Sequence, residues 1–140
     1  AIGARLAHHG GWALIVDYGH DGALGASLQA VRAHRGADIL ERPGETDLSA
    51  HVDFAALRAA AGRPAFGPVA QGDFLQRLGI ERRAEALKMQ ASASQRAAID
   101  AALARLIAPG QMGTLFRVLA VGDDRSAAPA GFSDIPSDQT

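Results

Sequence analysis

The sequence contains no cysteine, and it has one lysine (Lys88), one tryptophan (Trp12) and one tyrosine (Tyr18). Without cysteine there is no disulfide, no thiolate zinc site and no cysteine nucleophile, and a reducing compartment such as the cytoplasm fits. Neither charge is in excess, with 14 Lys and Arg against 15 Asp and Glu. A nucleic-acid binder driven by counterion release needs a basic face that this balance does not supply. No apolar run approaches the roughly 20 residues that span a bilayer, and no basic-then-apolar signal segment opens the sequence. GxGxxG, a phosphate loop and a Gly-x-Ser-x-Gly elbow are all missing.

What is present is 140 residues, 48% of them hydrophobic, enough for one globular domain. Alanine fills 31 positions and arginine supplies 13 of the 14 basic residues, the usage of a GC-rich genome. The positions of the other residues are more informative. All five histidines (His8, His9, His20, His34, His51), Trp12 and Tyr18 fall within the first 51 residues, so chemistry is expected there.

Residues 1–9 read as the tail of a helix closed by Gly10-Gly11. Trp12-Ala13-Leu14-Ile15-Val16 is a continuous apolar run, the pattern of a strand buried on both faces in the centre of a parallel sheet, ending at Asp17-Tyr18-Gly19. Burying it contributes on the order of 10 kcal/mol at ~1.5–3 per large side chain. Ordering its backbone costs about as much, so the strand needs neighbours. Ser27 to His34 fits either an extended strand or a short helix. Asp53 is expected to cap a helix through Leu57 to Ala61 with Gly62 as its stop. A short strand at 66–70, a helix from Gly72 to Leu78 and another from Glu81 to about Met89 follow, the last with Ile80, Ala84 and Leu87 on one face. The clearest helix runs from about Ala93 to Ala108. Ser92 and Gln95 form its capping box, Ile99, Leu103, Leu106 and Ile107 its buried stripe, and Arg96 with Asp100 an exposed pair. Leu115 to Val121 is a second buried strand, and 123–140 reads as a disordered tail. Two firm strands and one weak one make an incomplete sheet, and the sequence opens in mid-helix without methionine, so a piece of a larger domain is expected.

Asp17-Tyr18-Gly19-His20-Asp21 stands at the carboxyl end of the first strand, where open α/β sheets bind ligands. There an Asp can hold a guanidinium, a Tyr can stack or donate and a His can move protons. The plainer alternative is a turn in which Asp17 bonds nearby amides. His51 and Asp53 could point to one side of an extended segment, and with Asp17, His20 and His34 they raise the question of a metal. No tight ligand spacing supports one, and a cap at Asp53 with a loop histidine at His51 is the simpler reading. Gln71 reads as a cap sooner than a pocket residue, and Met112-Gly113 as packing.

Taken in order, these motifs resemble those of the MidA-type methyltransferases, which include a mitochondrial complex I assembly factor that methylates an arginine. Gly10-Gly11-Trp12-Ala13-Leu14-Ile15-Val16-Asp17-Tyr18-Gly19-His20 is similar to the family's GG-x-ALI-x-DYG signature. Ser27-Leu28-Gln29-Ala30-Val31-Arg32 with His34 resembles TLQAVR-x-H, and the run from Pro43 to Phe54 resembles PGEADLTAHVDF. Gln71 to Leu75 with Leu78-Gly79-Ile80 resembles TQGEFL and LGI, and Met112 to Ala120 resembles MGTLFKVLAL. The likeness covers about residues 1–121, with Ser49, Ala70 and Arg117 as small departures. In the family, the glycine-rich loop, the acidic ribose partner and an NEFFDALP-like stretch precede the GG-x-ALI strand, and this sequence contains none of them.

The resemblance implies an α/β fold, the C-terminal part of a Rossmann-like class I methyltransferase with an incomplete sheet. Residues 1–122 would belong to that domain and 123–140 to the tail. The activity implied is methyl transfer from S-adenosyl-L-methionine, bound by the missing part of the domain, to a protein arginine, with a respiratory-complex subunit as partner. Asp17, Tyr18 and His20 are then the catalytic candidates, and Gln29, Arg32, Asp47, His51 and Asp53 the substrate-lining ones. No cofactor-binding or metal residue is assigned, and no nucleic acid or membrane span is expected. The compartment would be the cytoplasm of a bacterium or the mitochondrial matrix of a eukaryote. Two alternatives stay open: a non-catalytic assembly protein that binds a partner, and a small metal-dependent hydrolase built on the His/Asp cluster.

Overall fold

The computed structural model describes residues 1–22, 25–122 and 127–132. Its elements in chain order are α1 (Ile2–His9), β1 (Trp12–His20), β2 (Gln29–Arg32), β3 (Arg35–Gly36), β4 (Asp47–Ser49), β5 (Val52–Asp53) and α2 (Phe54–Ala61). There follow β6 (Ala65–Ala70), α3 (Gln71–Arg77), α4 (Ile80–Lys88), α5 (Ala93–Ile107), α6 (Met112–Leu115) and β7 (Phe116–Gly122). The strands form two sheets, a main one in the order β5-β1-β7-β6 and a small one in the order β3-β2-β4.

The main sheet is mixed, not parallel as the apolar run at 12–16 led us to expect. β1 runs antiparallel to β7 from Trp12↔Gly122 to Tyr18↔Phe116, and parallel only to β5, through Gly19↔Val52 and His20↔Asp53. These pairings carry β1 through His20, so Asp17, Tyr18, Gly19 and His20 lie inside the strand and not in a loop beyond it. Burial of both faces is seen in β7, where Val118 to Val121 are all buried. It is not seen in β1, whose faces alternate: Trp12, Leu14 and Val16 are 38%, 54% and 46% exposed, while Ala13 and Ile15 pack inward.

The core lies between the inward face and the first two helices. Leu6 of α1, Phe54 of α2 and Leu119 and Val121 of β7 form its centre, with Ile15, Val52, Leu57 and Ala65 against them. Both helices end as their sequences predict. Gly10 closes α1, its N–H donating to the Leu6 carbonyl at 2.8 Å, and Gly62 closes α2 in the left-handed region at φ 59°. On the other face, the Trp12 ring lies over Gly122 and meets Phe66 edge-on at 5.5 Å.

The remaining helices gather beside β6. α5 carries the expected capping box, with Gln95 N–H donating to Ser92 Oγ and Ser92 N–H to Gln95 Oε1. Its stripe of Ile99, Leu103, Leu106 and Ile107 is half-buried and not fully buried, and the first three line an apolar cleft of about 160 Å³ against Ile80, Ala84 and Leu87 of α4. The Arg96–Asp100 pair is not formed. Asp100 instead takes Lys88 Nζ of α4 at 2.8 Å, and Arg96 Nε donates to the Ala91 carbonyl. Gln71 is not the cap, which is Ala70: it is buried in the first turn of α3 and donates through Nε2 to the Leu106 carbonyl at 2.9 Å. Gly113 does pack, since a Cβ there would collide with the Ile107 carbonyl. The expected disordered tail falls largely on 123–126 and 133–140, outside the described residues; between them, Phe132 packs on Phe74 of α3 at 5.3 Å.

Candidate functional site

The segment Ser27 to His34 resolves into β2 and a tight turn. Ala33 and His34 both take positive φ (49° and 61°), and β3 folds back so that Arg32 faces Arg35. β4 then pairs with β2 in antiparallel register, Gln29↔Ser49 and Val31↔Asp47. From β4 the chain crosses to β5 in the main sheet, and His51 stands at the crossing. The crossing brings His51 from the small sheet against Tyr18 of the large one, edge-on at 5.6 Å.

Around this contact lies a half-buried corner of rings. Tyr18 also meets Phe116, its register partner on β7, edge-on at 5.8 Å. His20 follows on the same face of β1, as strand alternation requires, with its ring 6.5 Å from that of His51. The Nδ1 atom of His20 is buried and has no hydrogen-bond partner. A buried polar atom without a partner costs free energy, so this is where the corner has capacity for a further polar group. Gly19, between the two rings, has no room for a side chain, because a Cβ would strike the Val52 carbonyl and the Phe54 ring.

Of the eight sequence-derived residues, Tyr18, His20 and His51 are brought together. Asp53 is adjacent as the partner of His20 in the β1–β5 register, and it caps α2 as expected, accepting from Ala56 N–H at 3.0 Å. Asp17 alternates to the opposite face of β1, opposite Arg117 in register, and its Oδ1 accepts from the Tyr18 N–H at 2.8 Å. Gln29, Arg32 and Asp47 stand in the small sheet, where Arg32 is engaged with Glu41 at 3.2 Å. The sequence reading missed Phe116 and Ser27. Ser27 Oγ accepts from the His51 N–H at 3.0 Å, and only the β2–β4 register reveals that pairing. Among the described residues no three His, Cys, Asp or Glu side chains gather to hold a metal ion, and no helix is long and apolar enough to cross a membrane.

A mixed sheet with helices against it and a polar corner where β1 meets its parallel neighbour defines an α/β fold. A native crystal structure of an uncharacterized protein from Burkholderia thailandensis shares it, with TM-score 0.79 and 27% identity over 95% of this chain and 40% of that one. A second Burkholderia thailandensis structure, bound to S-adenosyl-homocysteine, matches with TM-score 0.72 and 28% identity over 87% of this chain and 34% of that one. Residues 1–69 match the family described as "Putative S-adenosyl-L-methionine-dependent methyltransferase". A relative from Danio rerio, "Protein arginine methyltransferase NDUFAF7, mitochondrial", is 40% identical over 122 residues. The match takes in 86% of this chain and 29% of the relative, so the chain spans less than a third of that protein's length.

Proposed function

We propose that the chain is the acceptor-side part of an S-adenosylmethionine-dependent protein methyltransferase that modifies an arginine nitrogen. The observation that carries this reading is the 40% identity over 122 residues with a protein named as an arginine methyltransferase. The residues of this chain do not fit the cofactor itself: they include no glycine-rich strand-to-helix loop of the kind that cradles a nucleotide. They fit a cationic acceptor. Asp17 keeps one carboxylate oxygen beyond its bond to the Tyr18 N–H, and a carboxylate matches the fork of a guanidinium. The Tyr18 and His51 rings stand on the other face of β1, where they offer a surface against which a planar cation can lie. Transfer of a methyl group by in-line displacement depends on positioning and charge placement. Gln29, Arg32 and Asp47 serve by building the sheet that delivers His51, and Asp53 by starting α2 behind the corner.

The test is to incubate the intact enzyme with methyl-labelled S-adenosylmethionine and a respiratory-complex subunit, then locate the label by mass spectrometry. Label on arginine is the expected result; label on another residue type, or none, overturns the assignment. A second reading, partner binding without catalysis, draws on the small sheet and its flanking segments, where Leu28, Leu40 and Leu48 are exposed. Partner capture that survives loss of the cofactor site would favour it. The compartment that goes with the first reading is the mitochondrial matrix in a eukaryote and the cytoplasm in a bacterium.

A further inference from the structure

Tyr18 and His51 reach each other from different sheets, and no hydrogen bond between them fixes their angle. An edge-to-face contact alone leaves each ring free to turn, so the geometry of the pair depends on what holds each residue from behind. For Tyr18 that group is Phe116. It faces Tyr18 across the antiparallel ladder and meets it edge-on at 5.8 Å with 72° between the planes. Phe116 is itself pinned, because its backbone N–H closes α6 by donating to the Met112 carbonyl. For His51 the group is Ser27. Extending the β2–β4 register outward from Gln29↔Ser49 brings Ser27 opposite His51. At that position Ser27 Oγ takes the His51 N–H at 3.0 Å, where an ordinary ladder would offer a carbonyl.

We propose that Phe116 and Ser27 are positioning residues for the acceptor corner, Phe116 setting the Tyr18 ring and Ser27 the His51 backbone. This role rests on the methyltransferase reading above. Neither residue touches the acceptor. Phe116 acts on the angle of the Tyr18 ring and Ser27 on the place from which the His51 side chain starts, with the buried, unpartnered His20 Nδ1 beside them.

The test uses Phe116→Leu, Phe116→Tyr, Ser27→Ala and Ser27→Thr in the intact enzyme, measuring kcat, KM for the protein substrate, cofactor affinity and thermal midpoint. Phe116→Leu and Ser27→Ala are expected to lower kcat by at least ~10-fold, since small misplacements at a reacting centre are costly. Cofactor affinity should be unchanged, and Phe116→Tyr and Ser27→Thr should restore most of the rate. A separate readout comes from this chain, in which Tyr18 is the sole tyrosine. Its ring resonances in the NMR spectrum should move in Phe116→Leu. Active wild type with unaltered kcat in Phe116→Leu and Ser27→Ala overturns the positioning role alone. So does a rate loss that tracks the thermal midpoint and is not rescued. Wild type that binds cofactor but transfers no methyl group overturns the enzyme reading and this role with it.

Discussion

Single residues decide whether β1 can hold its corner. Gly19 sits where a Cβ would collide with the Val52 carbonyl and come 2.9 Å from Phe54, whereas Gly36 in β3 has open space around it and no positive φ. Gly19→Ala is therefore expected to cost about 1–3 kcal/mol, the usual penalty for overpacking, while Gly36→Ala leaves stability within ~0.5 kcal/mol. Thermal unfolding of the two variants checks this; equal midpoints would mean that the β1–β5 contact is looser than described. Asp17 is the residue on which the chemistry is staked. Asp17→Asn keeps the shape and the bond to the Tyr18 N–H but removes the charge that would orient a guanidinium. In the intact enzyme it should cut methyl transfer by ~10-fold or more with cofactor affinity retained, and unchanged turnover would end the role assigned to it. The identity of these residues was legible in the sequence, because Asp17, Tyr18 and His20 follow an apolar run. Their setting was not. A run of apolar residues shows where a strand starts, but where it ends depends on partners remote in sequence, here Phe116 and Val52.

At the scale of elements, the local signals were reliable and the tertiary ones were not. The caps at Asp53 and Ser92 and the stops at Gly10 and Gly62 were readable, since each depends on atoms a few residues apart. The small sheet was not, because short polar strands carry no apolar period and its tight turn uses Ala33 and His34 in place of glycine. Nor was the fate of Asp100. Its helical neighbour Arg96 is nearer in sequence, yet Lys88 reaches it from α4 while also contacting Glu85 at 2.6 Å. The hydrogen bond to Asp100, then that to Glu85, raises the Lys88 pKa above its ordinary value. A group whose folded pKa is raised stabilises fully below its unfolded value, near ~10.4 for lysine, and loses that contribution as pH rises through the folded one. Lys88→Met should therefore unfold at a lower temperature than wild type at pH 8, and the gap should close in strongly alkaline buffer. A gap of constant size would show that the lysine acts through its aliphatic stem and not its charge.

Viewed as a whole molecule, the chain has an inward face with a packed core and an outward face on which Trp12, Leu14 and Val16 remain accessible. It also spans 29% of the length of the Danio rerio arginine methyltransferase. Both facts accord with a division of labour in which this part presents the acceptor and the rest of the domain holds the cofactor. The motif order was legible in the sequence, whereas the mixed sheet and the crossing at His51, which shape the proposed acceptor side, were not. The most direct test is calorimetric titration of S-adenosylmethionine into this chain and, in parallel, into the intact enzyme, with circular dichroism to establish that each is folded. The account predicts saturable binding by the intact enzyme and none by the folded chain. Saturable binding by the chain alone would contradict it, placing the cofactor site among these 140 residues.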